Sequence, residues 1–146
     1  MGGRGGSILA RAEEEAADKF RQALRSRPDD PNNQNNLAYA LAESGRNLDE
    51  ALRLAESAMR AAPREPSYAD TVAVIYLKKK LPDAALQTLE NVGKSVPDNP
   101  TYLYHLALAQ MDTGRKVEAR ATAALARKPS KSESAQIREA LDRASR

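Results

Sequence analysis

The 146-residue chain carries 23 Lys and Arg against 20 Asp and Glu, a net charge of +3, with 41% hydrophobic and only 4% aromatic residues. It has no cysteine and a single histidine, His105, which excludes disulfides, thiolate zinc sites, a cysteine nucleophile and the usual multi-histidine metal sites. The longest apolar run, Val72 to Leu77, spans six residues, far short of the ~20 needed to cross a bilayer.

Residues 1–7, Met-Gly-Gly-Arg-Gly-Gly-Ser, read as a flexible leader or tag remnant outside the fold. From Ile8 to Arg25 the pattern is one amphipathic helix, with Ala12, Ala16, Phe20 and Leu24 on its apolar side and no helix ahead to cover them. Asn32 to Ser44 is a second helix, begun by Pro31 and ended cheaply at Gly45. Asp49 to Ala62 follows, closed by Pro63. Helices are then expected near Ser67–Lys79 and Pro82–Ser95, where Pro82 suits a first turn whose N–H would lack a partner anyway. Thr101–Thr113 and Lys116–Arg127 come next, broken at Gly114. After Pro129, Ser132 to Ala144 predicts one more helix, with Ala135, Ile137, Ala140 and Leu141 on one side and Ser132 or Ser134 as cap. No stretch alternates with the period of two that a strand requires. The chain reads as all α.

The helices come in pairs that repeat. Pro28, Pro63 and Pro97 lie 35 and 34 residues apart, and Pro31, Pro66 and Pro100 share those steps. So do Leu37, Val72 and Leu106, and the small residues Ala38, Ala73 and Ala107. Ala16, Ala51, Ala85 and Ala119 step by 35, 34 and 34, so one extra residue lies between Gly45 and Ala51. Five series agreeing on period and insertion point mark a repeat array.

On these residues the chain resembles the tetratricopeptide repeat family, whose unit is two antiparallel helices. The second-helix pattern of alanine, aromatic, alanine and closing proline stands here as Ala16, Phe20, Ala23 and Pro28. It recurs as Ala51, Ala55, Ala58 and Pro63, then as Ala85, Leu89, Val92 and Pro97. The first-helix pattern is Leu37, Ala38 and Leu41, then Val72, Ala73 and Tyr76, then Leu106, Ala107 and Gln110. Alanine or leucine replaces large pattern residues at Ala55, Ala123 and Leu41, and Pro129 comes early for a closing proline. The phrases Asn-Asn-Leu-Ala-Tyr-Ala-Leu-Ala and Tyr-His-Leu-Ala-Leu-Ala are similar to bacterial members. The resemblance implies a right-handed α-solenoid of antiparallel helix pairs within one domain, residues 8–146. It would comprise a half repeat at 8–28, full repeats at 31–63, 66–97 and 100–128, and a capping helix at 132–145.

The sequence offers little for catalysis. His105 has no acid or base beside it and reads as structural or groove-lining. Glu13, Glu14 and Glu15 point around a helix, as a solvated face does, and Gly2, Gly3, Gly5 and Gly6 follow no strand that would make a phosphate loop. Lys78, Lys79 and Lys80 close a helix where its dipole favours cations. Residues 115–146 carry nine basic and four acidic side chains, but no aromatics for stacking on bases, so nucleic acid is not the expected partner. No catalytic, metal or cofactor residue is assigned.

The resemblance places partners in a concave groove lined by the first helices. Transferred unit by unit, the groove positions are Asn32, Asn35, Tyr39 and Glu43, then Ser67, Asp70, Val74 and Lys78, then Thr101, Tyr104, Leu108 and Asp112. Tyr39 and Tyr104 are the expected anchors. Glu43, Asp70 and Asp112 against the one cation Lys78 disfavour an acidic tail and favour a neutral, amphipathic or basic segment. The reading is a non-enzymatic protein-interaction scaffold with no cofactor. Its alternative is a self-associating piece of a longer array, joined through the half repeat at 8–28. A soluble cytoplasmic protein is the default location, with a periplasmic or membrane-tethered parent left open.

Overall fold

The computed structural model describes residues 8–126, as seven helices and, among those residues, no strand. They are α1 (Ile8–Ser26), α2 (Pro31–Ser44), α3 (Leu48–Ala61), α4 (Pro66–Lys78), α5 (Pro82–Gly93), α6 (Pro100–Asp112) and α7 (Lys116–Leu125). The leader 1–7, the end of the third repeat at 127–128 and the capping helix expected at 132–145 lie outside the described residues. The chain divides into two compact units, residues 1–79 and 80–146.

Local chemistry explains most boundaries. Proline opens α2, α4, α5 and α6, where its fixed φ suits the first turn and its missing N–H costs nothing. Asp30 caps α2, its Oδ1 accepting from the N–H groups of Asn32 at 2.9 Å and Asn33 at 3.3 Å. Asn99 does the same for α6, accepting from Tyr102 N–H at 3.0 Å. Gly45 ends α2 with φ of 72°, in the left-handed region where a Cβ would be strained. Asn47, at φ 53°, supplies the second left-handed residue of that turn, a conformation its short polar side chain tolerates. The inserted residue of the first full repeat lies in this turn, between Gly45 and Ala51.

In the first unit α1 packs on α2, α2 on α3, α3 on α4, and α2 also meets α4. The core is Leu37, Ala38, Leu41, Ala51, Ala55, Val72 and Ile75, all at most 3% exposed. Phe20, Leu24, Leu52, Met59 and Tyr76 close around it. Alanines on one face of α3 leave no side chain to hold neighbours apart, so Leu37, Val72 and Ile75 fill the space. Burying each of those contributes about 1.5–3 kcal/mol.

α1, read from the sequence as uncovered, is covered in part. Its neighbour is α2, the helix that follows it. Ala17 is buried, and Phe20 and Leu24 are half-buried against the core, while Ala12 stays exposed. Arg21 also donates to both carboxylate oxygens of Glu50 on α3, at 2.8 and 3.3 Å.

In the second unit α6 packs against both α5 and α7. Leu86, Leu89, Leu103, Ala107, Met111 and Ala119 are among its buried apolar residues. Gly93 is buried with the Tyr102 phenol directly against it: a Cβ there would overlap the hydroxyl and come within 2.6 Å of Cζ.

Candidate partner-binding face

Positions 32, 35, 39 and 43 step along α2 by three or four residues, as do 67, 70, 74 and 78 on α4, so each set occupies one helix face. α2 and α4 lie side by side in the first unit. The first two sets therefore lie on neighbouring helices. The third set, Thr101, Tyr104, Leu108 and Asp112, lies on α6 of the second unit.

Exposure separates these residues sharply. Tyr39 is 49% exposed, the most open of the six aromatic side chains. Asn32, Glu43, Ser67 and Lys78 are exposed as well, and Asn35 and Asp70 are half-buried. Val74 and Tyr104 are buried, 7% and 6% exposed. Tyr104 therefore offers little surface to a partner, unlike the exposed anchor expected from the sequence. Its ring lies 4.9 Å from that of His105, at an interplanar angle of 46°. On the same helix Thr101 and Asp112 are exposed and Leu108 is half-buried.

One of these polar positions, Ser67, serves the fold itself. The Ser67 hydroxyl donates to Glu65 Oε1 at 2.9 Å, and Glu65 also accepts from the Ser67 N–H at 3.4 Å, which caps α4. Thr71 Oγ1 donates to the Ser67 carbonyl at 3.0 Å. Gln34, which the sequence reading passed over, is buried and donates from Nε2 to the Pro28 carbonyl at 3.1 Å. Its Oε1 and the Oδ1 of Asn35 are buried with no hydrogen-bond partner among the described residues. An apolar-periodicity reading skips such amides, because nothing in the sequence distinguishes a buried glutamine from a solvated one.

The electrostatics behind the face are those of a braced scaffold. Lys79 donates to Asp49 at the start of α3, which holds the Asp49 carboxyl below its usual range. Burial pushes the Tyr76 phenol up, and the Glu56 carboxylate that accepts its hydrogen bond reinforces the shift. Tyr68 is raised by burial and by the charges of Glu65 and Asp30. Among the described residues no three His, Asp or Glu side chains are grouped to hold a metal ion, and no helix is long and apolar enough to cross a membrane.

A family model described as tetratricopeptide repeat matches residues 14–66 and 73–134, most of the chain. The chain belongs to the tetratricopeptide repeat family. Its all-α, solenoid-like class follows from that membership and from the consecutive helix pairs. The matched segments contain ten of the twelve positions of the three sets, Ser67 and Asp70 falling between them. A search of curated proteins found no match. Proteins built of tetratricopeptide repeats generally mediate protein–protein interaction.

Proposed function

We propose that this tetratricopeptide repeat protein is a non-enzymatic scaffold that holds a segment of a partner protein on the face formed by α2 and α4. The observation that carries the reading is the placement of Tyr39. It presents half of an aromatic side chain to solvent on the helix that also carries Asn32 and Glu43, next to the helix that carries Asp70 and Lys78. An exposed tyrosine beside a rigid helix pair supplies apolar contact area and a hydroxyl at small entropic cost. Glu43 and Asp70 outweigh Lys78, so the preferred segment is neutral, amphipathic or basic.

A peptide array probed with the full chain tests this. Basic and amphipathic peptides should bind and acidic tails should not. Tyr39→Ala should weaken the bound set at least about tenfold, while Arg60→Ala on α3 should leave it unchanged. Equal binding by Tyr39→Ala and the parent protein would overturn the reading.

A further inference from the structure

The outer face of α7 departs from those of the helices it repeats. Counting back by 34 residues and by 34 again, Val117, Ala121, Ala124 and Leu125 correspond to Asp83, Gln87, Glu90 and Asn91 on α5, and to Asp49, Arg53, Glu56 and Ser57 on α3. At all four positions the last full repeat has an apolar side chain where the other two have polar ones. Val117 is 79% exposed and Leu125 66% exposed, with Ala121 and Ala124 exposed beside them. The four fall within a helix sector of about 100°, on the far side from the buried Ala119 and Thr122. A second exchange accompanies the first. The side of α5 that carries buried Leu86, Leu89 and Gly93 meets α6, whose Tyr102 lies against Gly93. In the last repeat the equivalent positions are Arg120, Ala123 and Arg127.

We infer that this face of α7 docks on an anionic lipid bilayer. Charge is the first argument. Residues 115–128 hold Arg115, Lys116, Arg120, Arg127 and Lys128 against Glu118, five bases to one acid and a net +4. α5 holds Asp83 and Glu90 with no base, a net −2, and α3 holds Asp49, Glu50 and Glu56 against Arg53 and Arg60, a net −1. The sign therefore reverses in the same repeat whose outer face turns apolar. Glu118 is itself offset by Arg115, 3.9 Å away. An exposed apolar stripe with bases along its border is the pattern of a helix that lies in the plane of an anionic membrane surface. Area is the second argument. Val117, Leu125 and two alanines cover far less than the ~800 Å² per partner of a stable protein interface. A bilayer sets no such threshold, because it yields around each inserted side chain and attracts each base near its surface. No residue of the α2 and α4 sets takes part, so this proposal stands or falls independently of the partner-binding face.

Co-sedimentation of the full chain with vesicles tests this, with circular dichroism to verify folding. The protein should bind vesicles of equal parts phosphatidylcholine and phosphatidylserine, should release them as salt is raised, and should ignore phosphatidylcholine alone. Arg120→Glu should weaken binding at least about fivefold by reversing one charge. Val117→Ser with Leu125→Ser leaves the charge unchanged and should weaken binding at least about tenfold by removing the inserted side chains. The chain has no cysteine, so Ala121→Cys accepts a single environment-sensitive dye, which should become shielded from aqueous quencher when the anionic vesicles are added. Absence of vesicle binding would overturn the proposal, as would equal binding to both compositions. So would parent-like binding by the double serine variant, a dye that stays open to quencher, or capture of acidic amphipathic peptides in preference to vesicles.

Discussion

Thr122 on α7 donates its hydroxyl to Gln110 Oε1 on α6 at 2.7 Å, with both residues only 8% exposed. Gln110 stands where the family pattern places a large ring, and Thr122 supplies the partner that makes a buried amide tolerable there. Thr122→Val should leave the amide oxygen buried without its partner and cost about 1–3 kcal/mol. Gln110→Leu together with Thr122→Val should cost less than the two single changes combined. Urea unfolding midpoints of the four proteins measure both.

Gly93 is held small by Tyr102. Gly93→Ala drives a Cβ into the phenol, and α5 or the ring must shift. Overpacking of this kind costs about 1–3 kcal/mol, seen as a lower Tm by calorimetry. The penalty should shrink when Tyr102→Ala has already emptied the space.

Helix capping by Asp30 is measurable at the first turn of α2. Asp30→Ala removes the acceptor of two backbone N–H groups and should cost about 0.5–2 kcal/mol, whereas Asp30→Asn should retain most of it. Chemical denaturation distinguishes the two.

Alkaline pH should destabilise the fold through its tyrosines. Tyr68, Tyr76 and Tyr102 all have pKa values raised above 10.0, in each case chiefly by burial. The folded protein therefore keeps phenol protons that the unfolded chain sheds, so this stabilisation is complete below pH 10.0 and is lost as the pH rises through the folded values. Glu56→Gln removes a negative charge beside Tyr76 and should lower its titration midpoint. Spectrophotometric titration of the phenols, with Tyr76→Phe to assign the transition, reads this directly.

Helix positions were legible along the chain because their signals are local. Pro31, Pro66, Pro82 and Pro100 each open a helix, and Gly45 and Gly114 turn the chain with positive φ, as their spacing leads one to expect. Small differences arise where backbone geometry, not composition, sets the end. α3 starts at Leu48 because Asn47 takes the left-handed conformation, and α5 stops at Gly93, two residues before the expected end at Ser95.

The face was legible only in outline. Tyr39 and Tyr104 look alike in sequence, each on a first helix and each at a groove position, yet one is half open and the other buried. Ser67 likewise reads as a surface hydroxyl but is taken up by Glu65 in capping α4.

The sequence by itself determined the repeat, its period, the helix pairs and the family, since each depends on residue identity at fixed spacing and on local caps. Tertiary structure alone decided which side chains meet. Arg21 reaches Glu50 across 29 positions, Thr122 reaches Gln110, and Tyr102 closes over Gly93. It also left Ile8 and Leu9 bare while burying Ala17 farther along the same helix. The physical reason is that burial and pairing belong to the neighbours a residue acquires, and a 34-residue periodicity specifies which face a side chain occupies without specifying what packs against it.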